Sequence, residues 1–192
     1  DGKAVDMTLG TLTDPFGSGH MGMTAERIAE KHGLTREDLD AFSAESHRRA
    51  SQAIENGYFK EQIVPVTVKQ GRKEVVFEQD EHVRPGTTAE SLAGLRPAFT
   101  KEGIVTPGNA SGINDGAAAM VLTSAAEAEK RGLKARARIV GYAFAGVDPS
   151  VMGLGPIPAV RRVLEQTGLS VEDLDVIESN EAFAAQALAV SK

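Results

Sequence analysis

Two stretches of this chain combine residue types that could bind a ligand or assist a reaction. The first, residues 108–116, reads Gly-Asn-Ala-Ser-Gly-Ile-Asn-Asp-Gly. Three glycines among small polar side chains let a backbone turn tightly and let another molecule approach it closely. Such a stretch is typical of a ligand-binding loop mounted on a buried element. An ordinary glycine turn is the alternative, and the glycine pattern alone favours it.

The second stretch, residues 178–184, reads Glu-Ser-Asn-Glu-Ala-Phe-Ala. It follows a short apolar run and opens a helical pattern, which is where α/β proteins commonly bind ligands. Asn180 could orient a water or stabilise a developing oxyanion, because an amide donates a hydrogen bond without titrating. It could also cap the helix that follows, and its position alone slightly favours the cap.

The remaining candidates for chemistry are few. Among the four histidines, only His20 lies in a glycine-bracketed turn that suggests a site. His32 is expected at a helix end, and His47 and His82 are expected in solvent. No pair of histidines or carboxylates has metal-ligand spacing, so no metal site is predicted. The chain has no cysteine, which excludes disulfides and a cysteine nucleophile within these residues.

Net charge and hydrophobicity argue against two classes of partner, nucleic acid and membrane. A formal charge of −6 leaves no basic stripe for nucleic acid. No apolar run approaches the length needed to cross a bilayer, so no membrane partner is predicted. The chain starts without Met and stops inside an apolar helical pattern. We therefore expect it to be part of a longer protein.

Hydrophobic periodicity divides the chain near residues 112–116. Before this point the sequence predicts a helix that Thr24 opens and Gly33 stops, and a longer helix opened by Thr35 with Asp38 as a capping-box variant. It then predicts a hairpin over 63–77, whose first strand contains Pro65 and is therefore an edge strand, and a short helix with a capping box formed by residues 87–90. After it, the pattern predicts buried strands at 117–122, 137–144 and 174–177, alternating with helices after Ser124, at 156–167 and at 182–190. Alternating strands and helices indicate α/β architecture.

Six blocks of the sequence, in order, resemble the thiolase family. They are residues 19–26, 95–99, 108–119, 146–149, 152–156 and 180–186. The resemblance implies a layered αβαβα fold with an inserted α+β loop domain that covers coenzyme A. It assigns residues 1–114 to that loop domain, 115–134 to the end of the N-terminal thiolase half, and 135–192 to the start of the C-terminal half.

The resemblance also implies roles for individual residues. Asn180 is expected to hold the catalytic water that stabilises a thioester enolate, which replaces the cap as the preferred interpretation. The residues expected to contact coenzyme A form three groups. They are His20, Met21, Ser111 and Gly112 at the pantetheine arm, Leu12, Arg84, Ser91, Leu95 and Phe99 toward the adenine end, and Met152, Ala182 and Phe183 along the acyl tunnel.

The function implied is that of an acetyl-CoA acetyltransferase or 3-ketoacyl-CoA thiolase. Such an enzyme condenses two acyl-CoA molecules, or cleaves a 3-ketoacyl-CoA with coenzyme A. Coenzyme A thioesters are the expected substrates, and no permanently bound cofactor is expected. The resemblance further implies a cytoplasmic homodimer or homotetramer. The family's two catalytic cysteines and its Gly-His-Pro histidine match no residue here, so these 192 residues alone are expected to be inactive.

Two other functions fit the same residues. One is a non-catalytic module of the same fold that binds coenzyme A or supports assembly. The other is a condensing enzyme of the ketoacyl-synthase type, which the Asn-Glu-Ala-Phe block at 180–183 disfavours.

Overall fold

The computed structural model describes residue 4 and residues 6–192. Within them, two antiparallel ribbons pair β1 (Thr13–Asp14) with β2 (Gly19–His20) and β3 (Val66–Gln70) with β4 (Lys73–Phe77). Pro149–Leu154 and Val171–Asp173 form 3₁₀ helices. The α-helices are α1 (Met7–Thr11), α2 (Met21–His32), α3 (Arg36–Glu55), α4 (Ala89–Ala93), α5 (Ala125–Lys130), α6 (Pro156–Thr167) and α7 (Ala184–Ser191).

Helix α2 begins earlier than the sequence predicts. Its N-cap is His20, whose Nδ1 accepts a hydrogen bond from the N–H of Gly22 at 3.0 Å. Thr24 lies inside the helix, where its hydroxyl donates to the carbonyl of Met21 at 2.6 Å. The predicted start at Thr24 is therefore wrong, because an imidazole supplies the cap that a hydroxyl usually provides.

The caps of other helices follow from local sequence. Thr35 and Asp38 form the predicted reciprocal capping box at the start of α3. At α4 the box is formed by Thr88 with Ser91, one residue later than predicted. Gly168 ends α6 at φ 70°, as the sequence predicts.

The hairpin is shorter than predicted at its first strand. β3 starts at Val66, opposite Phe77, and Gln70 pairs with Lys73 across the turn. Pro65 stands just outside because it has no N–H to donate to the ladder.

The core lies where α2, α3 and α7 meet the segment before the glycine-rich loop. Ile28, Leu39, Val105 and Ala185 are fully buried there. The alanines on one side of α7 let it approach α2 closely, which fixes the position of the residues just before α7. Burying four such side chains is the main stabilising term available to this cluster.

The three predicted buried strands do not form in this structure. Residues 117–122, 137–144 and 174–177 pair with no strand in the described part of the chain. Val121 is 91% exposed and Phe144 is 79% exposed. The prediction is wrong for this chain because an apolar run becomes a strand only when a neighbouring segment accepts its hydrogen bonds and covers its faces.

Candidate functional site

The two polar stretches singled out by sequence lie against each other. The N–H of Ser111 donates to the carbonyl of Ala182 at 2.9 Å, and the N–H of Ala184 donates to the carbonyl of Asn109 at 3.0 Å. Between these bonds, Ala110 and Phe183 form an antiparallel bridge. The glycine-rich loop and the residues that lead into α7 are therefore one rigid unit.

Hydrogen bonds of the Asn109 side chain hold this unit in place. Its side chain is buried, its Oδ1 accepts from the N–H of Thr106 at 2.8 Å, and its Nδ2 donates to the carbonyl of Ile104 at 3.0 Å. The same Nδ2 donates to the buried carboxylate of Asp40 at 3.0 Å. Neither Asp40 nor Asn109 is among the individual site residues that the sequence predicts. Asp40 and Asn109 lie 69 positions apart on different elements, and the one local signal is that Asn109 stands inside the glycine-rich stretch 108–116.

Beside this unit lies an aromatic wall formed by the rings of His20, Phe99 and Phe183. The rings of His20 and Phe99 are stacked with centroids 4.9 Å apart, and Phe99 meets Phe183 edge to face at 6.2 Å. Gly22 lies under the Phe99 ring, so that a side chain there would collide with it. Because Nδ1 of His20 accepts the helix-capping bond, Nε2 is the nitrogen left to donate to a ligand. Wall and loop together offer apolar faces beside neutral donors.

Two further predicted residues adjoin the wall. Leu12 ends α1, and its carbonyl accepts from the N–H of Met21 at 2.9 Å. Met21 is the first residue of α2, next to the capping imidazole of His20. The structure thus brings Leu12, Met21 and His20 together at one end of the wall.

Two of the five residues predicted at the adenine end, Ser91 and Leu95, lie in α4 or just after it. The side chain of Leu95 packs against Gly108 of the glycine-rich loop, where a larger residue would not fit. The hydroxyl of Ser91 donates to the carbonyl of Thr88 at 2.8 Å and accepts from its N–H at 3.1 Å. The capping box therefore uses the Ser91 hydroxyl, which competes with a contact to a ligand.

Two more predicted site residues, Arg84 and Gly112, lie beside a pair of histidines, His47 and His82. Gly112 packs against the ring of His82, and the N–H of Arg84 donates to Nδ1 of His47 at 3.3 Å. The rings of His47 and His82 are 6.1 Å apart. Partial burial, followed by the charges of His82 and Arg84, lowers the pKa of His47 from its ordinary value of 6.5. His47 is half-buried, so its predicted solvent exposure is wrong.

The His47 side of the loop contains a cleft of about 160 Å³. Its floor is crossed by a hydrogen bond from the Ser46 hydroxyl to the Glu181 carboxylate at 2.6 Å. Of the predicted site residues, only Ser111 lines it. The aromatic wall is where Leu12, His20, Met21, Phe99 and Phe183 lie, whereas Ser91 and Leu95 lie at α4.

Asn180 and Met152 are two predicted site residues that the structure does not bring into the aromatic wall of His20, Phe99 and Phe183. Asn180 is exposed, and its side chain makes no hydrogen bond to the described residues. The N-cap position of α7 is occupied by Phe183, so the interpretation of Asn180 as a cap is wrong. The predicted helix start at Ala182 is likewise two residues early. Met152 lies 41% exposed in the 3₁₀ helix that packs on α2.

No group of three or more histidine or acidic side chains is arranged to hold a metal ion within residues 4 and 6–192. Over the same part of the chain, no helix combines the length and apolarity needed to span a membrane.

Comparison with known proteins places this geometry in a family. Residues 1–126 match the thiolase N-terminal domain, and residues 133–192 match the thiolase C-terminal domain. A beta-ketothiolase of Cupriavidus necator is 58% identical over 193 aligned positions, covering 100% of this chain and 49% of the relative. An acetyl-CoA acetyltransferase of Pseudomonas aeruginosa is 57% identical, covering 99% of this chain and 49% of its own length. The chain thus spans about half the length of the curated relatives that it matches.

Solved structures of thiolases are also similar to this chain. The crystal structure of the Bacillus anthracis acetyl-CoA acetyltransferase superposes with a TM-score of 0.94 at 54% identity, covering 100% of this chain and 48% of that one. Human mitochondrial 3-ketoacyl-CoA thiolase, solved in complex with CoA, superposes with a TM-score of 0.89 at 44% identity, covering 99% and 48%. The expected thiolase-like α/β fold is thereby confirmed. The chain belongs to the thiolase family.

Proposed function

We propose that the whole protein containing this chain is an acyltransferase of the thiolase type. It would condense two acyl-CoA molecules, or cleave a 3-ketoacyl-CoA with coenzyme A. The observation that carries the proposal is the bridge between Ala110 and Phe183, which sets Ser111 beside the His20–Phe99–Phe183 wall. The names of the relatives, beta-ketothiolase and acetyl-CoA acetyltransferase, support the same activity.

The chemistry of the wall suits a pantetheine arm. That arm is a flexible, uncharged chain with two amide groups, and it needs apolar contact along its length and neutral hydrogen-bonding groups at its amides. Phe99 and Phe183 supply the apolar faces, while Ser111 and Nε2 of His20 supply neutral donors. In this proposal Met21 and Gly112 also contact the arm, and Met152 and Ala182 line the acyl tunnel.

The nucleotide end of coenzyme A is proposed to lie toward α4. Leu12, Leu95 and Phe99 would provide apolar surface, Arg84 would pair with a phosphate, and Ser91 would contact the adenosine. Supporting this placement, Leu95 packs on the same loop that carries Ser111. The loop domain over residues 1–114, followed by thiolase-half segments 115–134 and 135–192, is part of the proposal.

Asn180 is the proposed catalytic residue of this chain. Removing a proton from the α-carbon of acetyl-CoA leaves a thioester enolate, whose oxygen needs a donor that stays neutral. A water held by an amide is such a donor, and an exposed amide without other partners is free to hold it. The nucleophile and the acid–base groups would come from the rest of the protein, as the family pattern implies.

The exposed apolar segments support a larger folded unit. Residues 117–122 and 137–144 expose seven large apolar side chains: Met120, Val121, Leu122, Ile139, Val140, Tyr142 and Phe144. Clustered exposed apolar side chains are typical of surfaces that another segment covers. We propose that both segments are strands in the whole protein, paired with other segments of the same polypeptide. Slow amide hydrogen exchange of these residues in the full-length protein, and fast exchange in the isolated chain, is the expected result. A cytoplasmic homodimer or homotetramer completes the proposal.

The proposed activity is tested by assaying the purified full-length protein for thiolysis of acetoacetyl-CoA. Acetyl-CoA should form in a reaction that depends on added coenzyme A, while the 192-residue chain alone should give none. Binding of coenzyme A without turnover of short or long 3-ketoacyl-CoA would support the alternative, a non-catalytic binding module. Absence of both binding and turnover would refute both functions.

A further inference from the structure

We propose that the hydrogen-bonded Arg36–Asp40–Asn109 chain is a positioning device that holds the two ends of the coenzyme A groove in register. The inference rests on the proposed function, because it takes the groove to bind coenzyme A. Asp40 receives a hydrogen bond from Arg36 Nε at 2.7 Å on one carboxylate oxygen and from Asn109 Nδ2 at 3.0 Å on the other. The Asp40 carboxylate therefore connects two segments, the end of α4 and the glycine-rich loop.

The first segment is the end of α4. Arg36 Nη2 donates to the carbonyl of Leu92 at 2.7 Å and to the carbonyl of Leu95 at 3.1 Å. These carbonyls belong to the stretch that carries the proposed adenosine contacts. A planar guanidinium can hold Asp40 and both carbonyls at once, which the single ammonium of a lysine does less well.

The second segment is the glycine-rich loop. Asn109 carries the loop backbone, and its own carbonyl accepts from the N–H of Ala184 beside the bridge that places Ser111. The side chain of Asn109 is 3% exposed, so water cannot replace its bond to Asp40. The position of the proposed pantetheine contact thus depends on the same carboxylate as the end of α4.

Two features indicate that the device does more than stabilise the fold. Arg36 occupies the first position of α3, where the helix dipole disfavours a positive charge. Asp40 is 2% exposed, and a buried ion pair is often no better for stability than a well-packed apolar pair. The Arg36–Asp40 ion pair spans one turn of α3 and can support that helix. The bonds from Arg36 to the carbonyls of Leu92 and Leu95, and from Asn109 to Asp40, add nothing to α3, and they are the bonds that join α4 to the loop.

The test uses the full-length protein and compares binding of coenzyme A with binding of pantetheine, which lacks the nucleotide. Arg36→Gln should weaken coenzyme A binding about tenfold while changing pantetheine binding less than about twofold, because only the α4 end is released. Arg36→Lys should recover part of the loss. Asn109→Ala should weaken both ligands, because it releases the loop.

Glu45→Gln is the matched control, since Glu45 pairs with Arg48 and Arg49 on the exposed side of the same helix. It should leave both affinities unchanged. Thermal unfolding of every variant identifies losses that only reflect a smaller folded fraction. Because the Arg36 side chain is 19% exposed, its variants are expected to fold even if the Asn109 variant does not.

Equal losses for coenzyme A and pantetheine in Arg36→Gln, or no loss for either, would overturn the positioning role. If the unchanged protein bound no coenzyme A, the proposed function would fail and this inference with it. Normal binding by the unchanged protein, without the difference between the two ligands in Arg36→Gln, would overturn this inference alone.

Discussion

The backbone N–H of Ser111 donates to the carbonyl of Ala182 at 2.9 Å, which joins positions 71 residues apart in the chain. This bond leaves the Ser111 side chain exposed, with no hydrogen bond from its hydroxyl to the described residues. The backbone of Ser111 therefore serves the fold, and its side chain is available for a ligand. This separation makes the role of the hydroxyl testable.

Replacing Ser111 by alanine should weaken binding of coenzyme A substrates by about five- to tenfold, through loss of one hydrogen bond. The free energy of unfolding should stay within about 0.5 kcal/mol of the unchanged protein, because the backbone bond remains. Michaelis constants and urea unfolding of the full-length protein measure the two effects. Ser191→Ala, which removes a hydroxyl bonded within α7, should not affect substrate binding. If Ser111→Ala changed neither quantity, the loop would be only a turn.

Replacing Asn180 by alanine should lower kcat of the full-length protein by about 100-fold, the usual effect of losing one oxyanion donor. KM should change little, because the interaction forms in the transition state. Steady-state kinetics with acetoacetyl-CoA provide the measurement. Asn56→Ala, at the end of α3, is a control that should keep normal turnover. An unchanged kcat in Asn180→Ala would remove Asn180 from the catalytic group.

Replacing Gly22 by alanine should destabilise the protein by about 1–3 kcal/mol, because the added methyl would overlap the Phe99 ring. The ring can move only by leaving its stack on His20. Urea unfolding measures the loss. Gly94→Ala should be close to neutral, since an added methyl there meets open space. Similar stabilities for the two variants would show that Phe99 adapts without cost.

The lowered pKa of His47 gives the protein a pH-dependent stability. The folded protein binds this proton less tightly than the unfolded chain, whose pKa is near 6.5. The contribution of neutral His47 is therefore complete above that value and decreases as the pH falls toward the folded pKa. Urea unfolding from about pH 8 to pH 5 should show a shallower decrease for His47→Gln than for the unchanged protein. Parallel profiles would contradict the assignment.

Local chemistry allowed several elements to be predicted from the sequence. Thr35 and Asp38 cap α3, and Gly33 and Gly168 end their helices at positive φ. These signals act within a few residues, so they depend little on the rest of the fold. Local pattern misplaced the start of α2, because the cap there is the side chain of His20.

The strand predictions failed for a different reason. The run at 117–122 has the apolarity of a buried strand, yet Val121 is almost fully exposed. A strand is completed by hydrogen bonds to a neighbouring segment, and its own sequence does not specify that neighbour. Apolar composition therefore predicted where burial is needed, whereas pairing decides whether it occurs.

By itself, the sequence determined the capping box of α3, the glycines that end α2 and α6, and the resemblance that led to the thiolase family. The tertiary structure decided that Asn109 meets Asp40 across 69 positions and that Ala110 pairs with Phe183. Such pairs cannot be read from either partner, because each polar group would be equally satisfied by water or by many other residues. Packing of α7 against α2 brings Phe183 to the loop, and packing of α3 excludes water around Asp40. Burial thus makes these hydrogen bonds specific.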